Sequence, residues 1–195
     1  MAVAIVGLIV VGLVALAVWA ARKHTAMGRA ADQALETLAR RLGTTFTHGQ
    51  KTLRGTLDGR ACTVEEEVLR TAGGDGDREY IVSIAIATTA GAQLAIGPRL
   101  STTGAPRIGG APTGDPVLDD ALIVDTSDPA RLLAALDADD RQRLGAWGQS
   151  YWVRRLRIVD GHLRVEANRG LLDAAQVTEV GVLLDVLSRI LRGLE

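Results

Sequence analysis

Residues 53–64 read Leu53-Arg54-Gly55-Thr56-Leu57-Asp58-Gly59-Arg60-Ala61-Cys62-Thr63-Val64. Two alternating runs flank an Asp-Gly pair. Asp and Gly tolerate positive φ, so the pair suits the centre of a type I′ turn, and a two-residue loop leaves its strands one register. That register sets Leu57 against Arg60, Gly55 against Cys62 and Leu53 against Val64. Leu53, Leu57, Cys62 and Val64 then share one face, and Arg54, Thr56, Thr63 and Glu65 the other. A slip of one residue would turn the apolar set to water. Turn and pattern therefore agree on an antiparallel hairpin with one buried face.

The same pattern returns near the end of the chain. Trp152 to Val159, Asp160-Gly161 and His162 to Ala167 form a second hairpin, which pairs Leu156 with Val165 and Ile158 with Leu163. Between the hairpins, Tyr80 to Thr88, Gln93 to Ile96 and Leu122 to Val124 read as strands, and Leu100 to Pro116, rich in Gly, Pro, Ser and Thr, as a loop. Helical spacing appears from Ala26 to Leu42, with Met27, Ala31, Ala34, Leu35, Leu38 and Leu42 on one stripe and Gly43 as its stop. Asp128-Pro129 opens a helix to about Leu136. Asp137 caps another, Ala138 to about Trp147, with Leu144 and Trp147 facing inward. The last helix begins near Leu172, and Val177, Val180, Leu184, Leu187, Leu191 and Leu194 recur at helical spacing. Its stripe suits either a helix laid on the sheet or the seam of a homodimer. The fold class is α+β: about seven antiparallel strands, a late helical pair and a closing helix.

Ala2 to Ala21 runs AVAIVGLIVVGLVALAVWAA without a charged side chain. Twenty helical residues rise about 30 Å, the hydrocarbon thickness of a bilayer. A cleaved signal peptide would need a basic segment before a shorter apolar core. Nothing basic precedes this run except the terminal amine, so the reading is a retained transmembrane helix. Arg22 and Lys23 flank it and Trp19 suits an interface, which places the N-terminus outside and the rest in the cytoplasm of a bacterial inner membrane. The expected divisions are an anchor with its basic flank at 1–24, a stalk helix at 25–43 and a cytoplasmic domain at 44–195.

The chain carries a formal net charge of −1. Arg22, Lys23 and Arg29 contribute +3, so the remainder carries −1 − 3 = −4, a poor balance for a nucleic-acid binder. The single cysteine, Cys62, excludes an internal disulfide and a thiolate metal cluster. Asp75, Asp77 and Glu79 resemble the start of a calcium loop but lack its later glycine and distal Glu. Gly109 to Gly114 lacks the Gly-Lys-Ser/Thr of a phosphate loop. His24, His48 and His162 lie in separate elements without ligand spacing. Ser101 and Ser150 lack a nucleophile elbow. No catalytic, metal or cofactor residue emerges. Two surfaces remain. Arg155, Arg157, His162 and Arg164 share one face of the second hairpin, with Arg157 directly opposite Arg164. Like charges so placed are unfavourable unless an anion or an anionic lipid surface relieves them. Trp147 and Trp152 mark a candidate surface for a protein partner.

Gly114-Asp115-Pro116-Val117-Leu118-Asp119-Asp120-Ala121-Leu122-Ile123-Val124, with Asp128-Pro129-Ala130-Arg131-Leu132-Leu133 and Arg141-Gln142-Arg143-Leu144, resembles uncharacterised bacterial membrane-anchored proteins of domain-of-unknown-function families. Their pattern is a Gly-Asp-Pro turn, a hydrophobic strand, an Ala-Arg-Leu-Leu helix and an Arg-x-x-Leu helix. The resemblance implies a membrane-tethered α+β domain and transfers no catalytic residue. The expectation is a non-enzymatic, single-pass membrane protein whose domain binds a protein partner, with anion or lipid binding by the basic hairpin as the alternative.

Overall fold

Both Asp-Gly pairs sit at positive φ, Asp58 at 49°, Gly59 at 78°, Asp160 at 51° and Gly161 at 69°. They do so in a computed structural model that describes residues 28–70, 78–99, 110–168, 171 and 173–195. The first turn joins β1 (Thr52–Leu57) to β2 (Arg60–Arg70), and the second joins β6 (Val153–Val159) to β7 (His162–Asn168). Their registers are the expected ones: Leu53 faces Val64, Gly55 faces Cys62, Leu156 faces Val165 and Ile158 faces Leu163. With β3 (Arg78–Ala87), β4 (Leu94–Pro98) and β5 (Leu122–Thr126) they form one antiparallel sheet in the order β1-β2-β3-β7-β6-β4-β5. The C-terminal hairpin is thus inserted between β3 and β4.

These registers line residues up in rows across the whole sheet. One row is Leu53, Val64, Ile84, Val165, Leu156, Ile96 and Val124, one residue from each strand. Every member is buried. The next row, one residue along, is Arg54, Thr63, Ala85, Arg164, Arg157, Ala95 and Asp125, and it faces the other way. A period of two makes the first row a core and the second a solvent face.

Helices cover the apolar face. α1 (residues 28–41) buries Ala31, Leu35, Leu38 and Ala39, and Leu42 follows as it ends. Most of this helix therefore belongs to the globular core rather than to a separate stalk. α2 (Pro116–Ala121) lies where a loop was expected to end. Asp115 caps it through Val117 N and Leu118 N, with Pro116 in its first turn, the same Asp-Pro signature that opens α3 (Pro129–Ala135) from Asp128. α4 (Ala138–Gln149) follows from its Asp137 cap. α5 (Ala174–Leu194) starts two residues later than expected, capped by Asp173. Val177, Val180, Leu184, Leu187, Leu191 and Leu194 are all buried in the chain's own core. The stripe that suited a homodimer seam is thus consumed within the protomer.

Ala2 to Ala21, with Trp19, Arg22 and Lys23, lies outside the described residues, as do Asp75 and Asp77. Among the described residues no helix is long and apolar enough to cross a membrane.

The end of α1 presses on β1. Leu42 O accepts from Thr56 N at 2.8 Å, and a Cβ at Gly55 would lie 2.0 Å from that same oxygen. Backbone cannot yield as a side chain tip can. Gly55→Ala should destabilise the fold by about 1–3 kcal/mol, lowering Tm by roughly 3–10 °C. Gly28→Ala, with nothing within 4 Å of the added carbon, should leave Tm unchanged. Thermal unfolding of both variants checks this.

Candidate functional site

The uncovered face of the sheet carries the charged candidates. Arg157 and Arg164 are directly opposite on β6 and β7. In their row the neighbours on either side are Ala95 and Ala85, too small to cover them. The adjacent row places Glu65, Ser83, Glu166 and Arg155 side by side. Together they outline a shallow depression of about 410 Å³, lined by Thr63, Glu65, Glu67, Ser83, Arg157 and Arg164 among others. Arg155 has an acid, Glu166, as its cross-strand neighbour. Among the described residues, by contrast, no ion pair holds Arg157 or Arg164. His162 shares their strand face, but its Nδ1 lies 2.8 Å from Asp160 O in the turn, so it does not join the arginine pair.

Trp147 and Trp152 are not a surface. They are 5% and 4% exposed, with ring centroids 5.0 Å apart and planes tilted by 51°. Trp147 Nε1 donates to Glu179 Oε1 at 2.6 Å, which ties α4 to α5. The inward orientation of Trp147 on α4 holds. The partner surface built on the two indoles does not, because their apolar area is already spent on the core. Asp140 is 2% exposed and accepts two hydrogen bonds from the Arg189 guanidinium, at 2.6 and 2.5 Å. A lone carboxylate there would be very costly, so this pair is a structural tie between the same two helices.

The remaining titratable groups are also structural. Burial pushes the Cys62 thiol up to about 11, with Arg41 pulling weakly the other way, so it stays protonated and unreactive. Burial alone would raise the Asp119 carboxyl. Hydrogen bonds from Thr113 N, Thr113 Oγ1 and Gly114 N, with Arg99 nearby, instead hold it below its usual range and fix the lead into α2. The Glu195 carboxylate takes hydrogen bonds from the Arg60 guanidinium, Thr88 Oγ1 and Thr89 N. Arg60 dominates and outweighs burial, holding this carboxyl at about 2. Among the described residues no group of three His, Cys, Asp or Glu side chains could hold a metal.

Comparison of the chain with protein families, curated proteins and solved structures finds no match.

Two outcomes follow from these contacts. Trp147→Ala should cost about 3–5 kcal/mol, read as a shifted denaturation midpoint, whereas a surface indole would cost almost nothing. Glu195 has a folded pKa below its ordinary 4.5. Its contribution is therefore full above pH 4.5 and is lost as pH falls towards 2. Glu195→Gln should lower stability at pH 7, and the gap from the parent should close between those limits in a pH series of unfolding curves.

Proposed function

We propose that this chain is a single-pass, membrane-anchored binding protein, without catalytic activity, whose α+β domain docks a protein partner through the uncovered face of its sheet. The observation that carries this reading is the Arg157–Arg164 pair, set face to face without an ion-pair partner among the described residues. Such a pair is unfavourable by itself and is relieved by a carboxylate or phosphate placed between the guanidiniums. Glu65, Glu67 and Glu166 ring the same depression, so the face is mixed in sign. That favours a partner with both acidic and basic groups over a uniformly anionic surface. The anchor rests on the length and apolarity of Ala2 to Ala21, and the N-out orientation on Arg22 and Lys23. In this reading the domain works beside the cytoplasmic leaflet of a bacterial inner membrane.

The test is proximity labelling of the full chain in its native membrane. Arg157→Glu with Arg164→Glu should reduce recovery of a defined set of neighbours about tenfold or more. Arg143→Glu, an exposed charge on α4, should not. An identical labelling profile for the double variant would remove the sheet face as the interface.

A further inference from the structure

A second concavity lies on the other side of the sheet, at the root of α1. It measures about 460 Å³ and is lined by Gly28 and Arg29, the first described residues after the apolar run. Its floor is apolar. Ala31, Leu35 and Leu171 are buried, and Phe46 packs half-buried against the core. Its mouth is basic. Lys51 pairs with Glu66, but the Lys51 side chain is 58% exposed and that of Glu66 only 7%. The other oxygen of Glu66 accepts from Leu171 N at 2.5 Å, so that acid faces inward and is already engaged. His48 stands 86% exposed with its Nδ1 2.9 Å from Asp32. Arg29 has no ion-pair partner among the described residues.

We propose that this groove seats the head group and the first part of an acyl chain of an anionic phospholipid from the adjoining leaflet. The proposal rests on the reading of Ala2 to Ala21 as a membrane span. Position is its first support. From Ala21 to Gly28 is 28 − 21 = 7 residues, a reach of roughly 10 Å if helical and 24 Å if extended. The mouth is therefore tethered close to the head-group layer. The basic hairpin is less suited to that role, because Arg157 and Arg164 lie on the face of the sheet away from α1. Chemistry is the second support. An apolar floor below Arg29, which lacks an ion-pair partner among the described residues, and the largely exposed Lys51 matches a molecule with a phosphate above a hydrocarbon chain, whereas a free phosphate would leave the floor unused. In this site Arg29 and Lys51 hold the phosphate, and Phe46 and Leu35 meet the chain.

The experiment uses the full chain in nanodiscs of phosphatidylcholine, with or without an equal share of phosphatidylglycerol. A photoreactive benzoylphenylalanine replaces Phe46 or, in a second probe that spares the core, the exposed Gln50. Irradiation should give an adduct with the mass of phosphatidylglycerol. Its yield should fall about fivefold for each of Arg29→Gln and Lys51→Gln, and not at all for Thr37→Gln. Cross-links from either probe to residues 22–27 in place of lipid, adducts equally abundant with phosphatidylcholine alone, or no lipid adduct from either probe would overturn the proposal. Alkaline extraction of the same samples separates the two readings. A chain that washes off the lipid removes the anchor and the groove together, while a chain that stays without forming the adduct removes the groove alone.

Discussion

A hairpin closed by two residues at positive φ has only one way to pair its strands. Asp58-Gly59 and Asp160-Gly161 each impose that constraint, and the rest of the core depends on it. Because the turns set which residues face each other, Leu53 meets Val64 and Leu156 meets Val165. Once β3 lies between the two hairpins, the same alignment extends through Ile84 and on to Ile96 and Val124. Seven apolar side chains then form one continuous ridge against which α1 and α5 pack. A slip in the first turn would shift β1 at the sheet's edge, and one in the second would break the ridge in the middle and turn a row of charges towards the helices.

The order of the strands makes closure of this sheet a late event. β6 and β7 lie between β3 and β4, although β3 and β4 precede them in the chain. The central pairing of β3 with β7 therefore brings Ile84 to Val165, and such distant contacts form slowly against loop entropy. Polar ties secure the assembly where apolar burial alone leaves the helices free to slide. Trp147 with Glu179 and Asp140 with Arg189 bind α4 to α5. Arg41 with Asp185 binds α1 to α5. Glu195 binds the end of α5 to Arg60 and Thr88 at the sheet's far end.

Local chemistry determined which parts of this fold were legible in the amino-acid order. The first hairpin could be read to the residue from its two-residue Asp-Gly turn, and the second as far as Arg155, beyond which the register shifts between Val153 and Arg155. The caps at Asp128 and Asp137 were equally legible. α2 was not, although Asp115-Pro116 carries the same signal, because its six residues fall below the length at which helical periodicity can be recognised. Strand order was also beyond reach, since short strands such as Leu122–Thr126 pair according to shared burial and not to local pattern. Of the candidate sites, the arginine pair was visible because register alone places Arg157 opposite Arg164. The buried state of Trp152 was not, since the register shift between Val153 and Arg155 interrupts the alternation before it reaches that residue. The groove under Arg29 has no sequence signal at all: Phe46, Lys51, Glu66 and Leu171 meet there only through tertiary packing.

An antiparallel sheet can leave one polar face in water without penalty, so openness alone does not argue for a partner. The composition of the face does. A face shaped only by solubility would place opposite charges across from one another, as Arg155 and Glu166 are placed. Two arginines directly opposite each other, between alanines, give up that stabilisation. The proposed partner face and the proposed lipid groove thus lie on opposite sides of one sheet. On the helix side an apolar groove opens at the root of α1, beside Gly28 and Arg29. On the other side lies the mixed-charge face around Arg157 and Arg164. In the proposed reading, a lipid seated at the root of α1 would leave the arginine face clear for a partner.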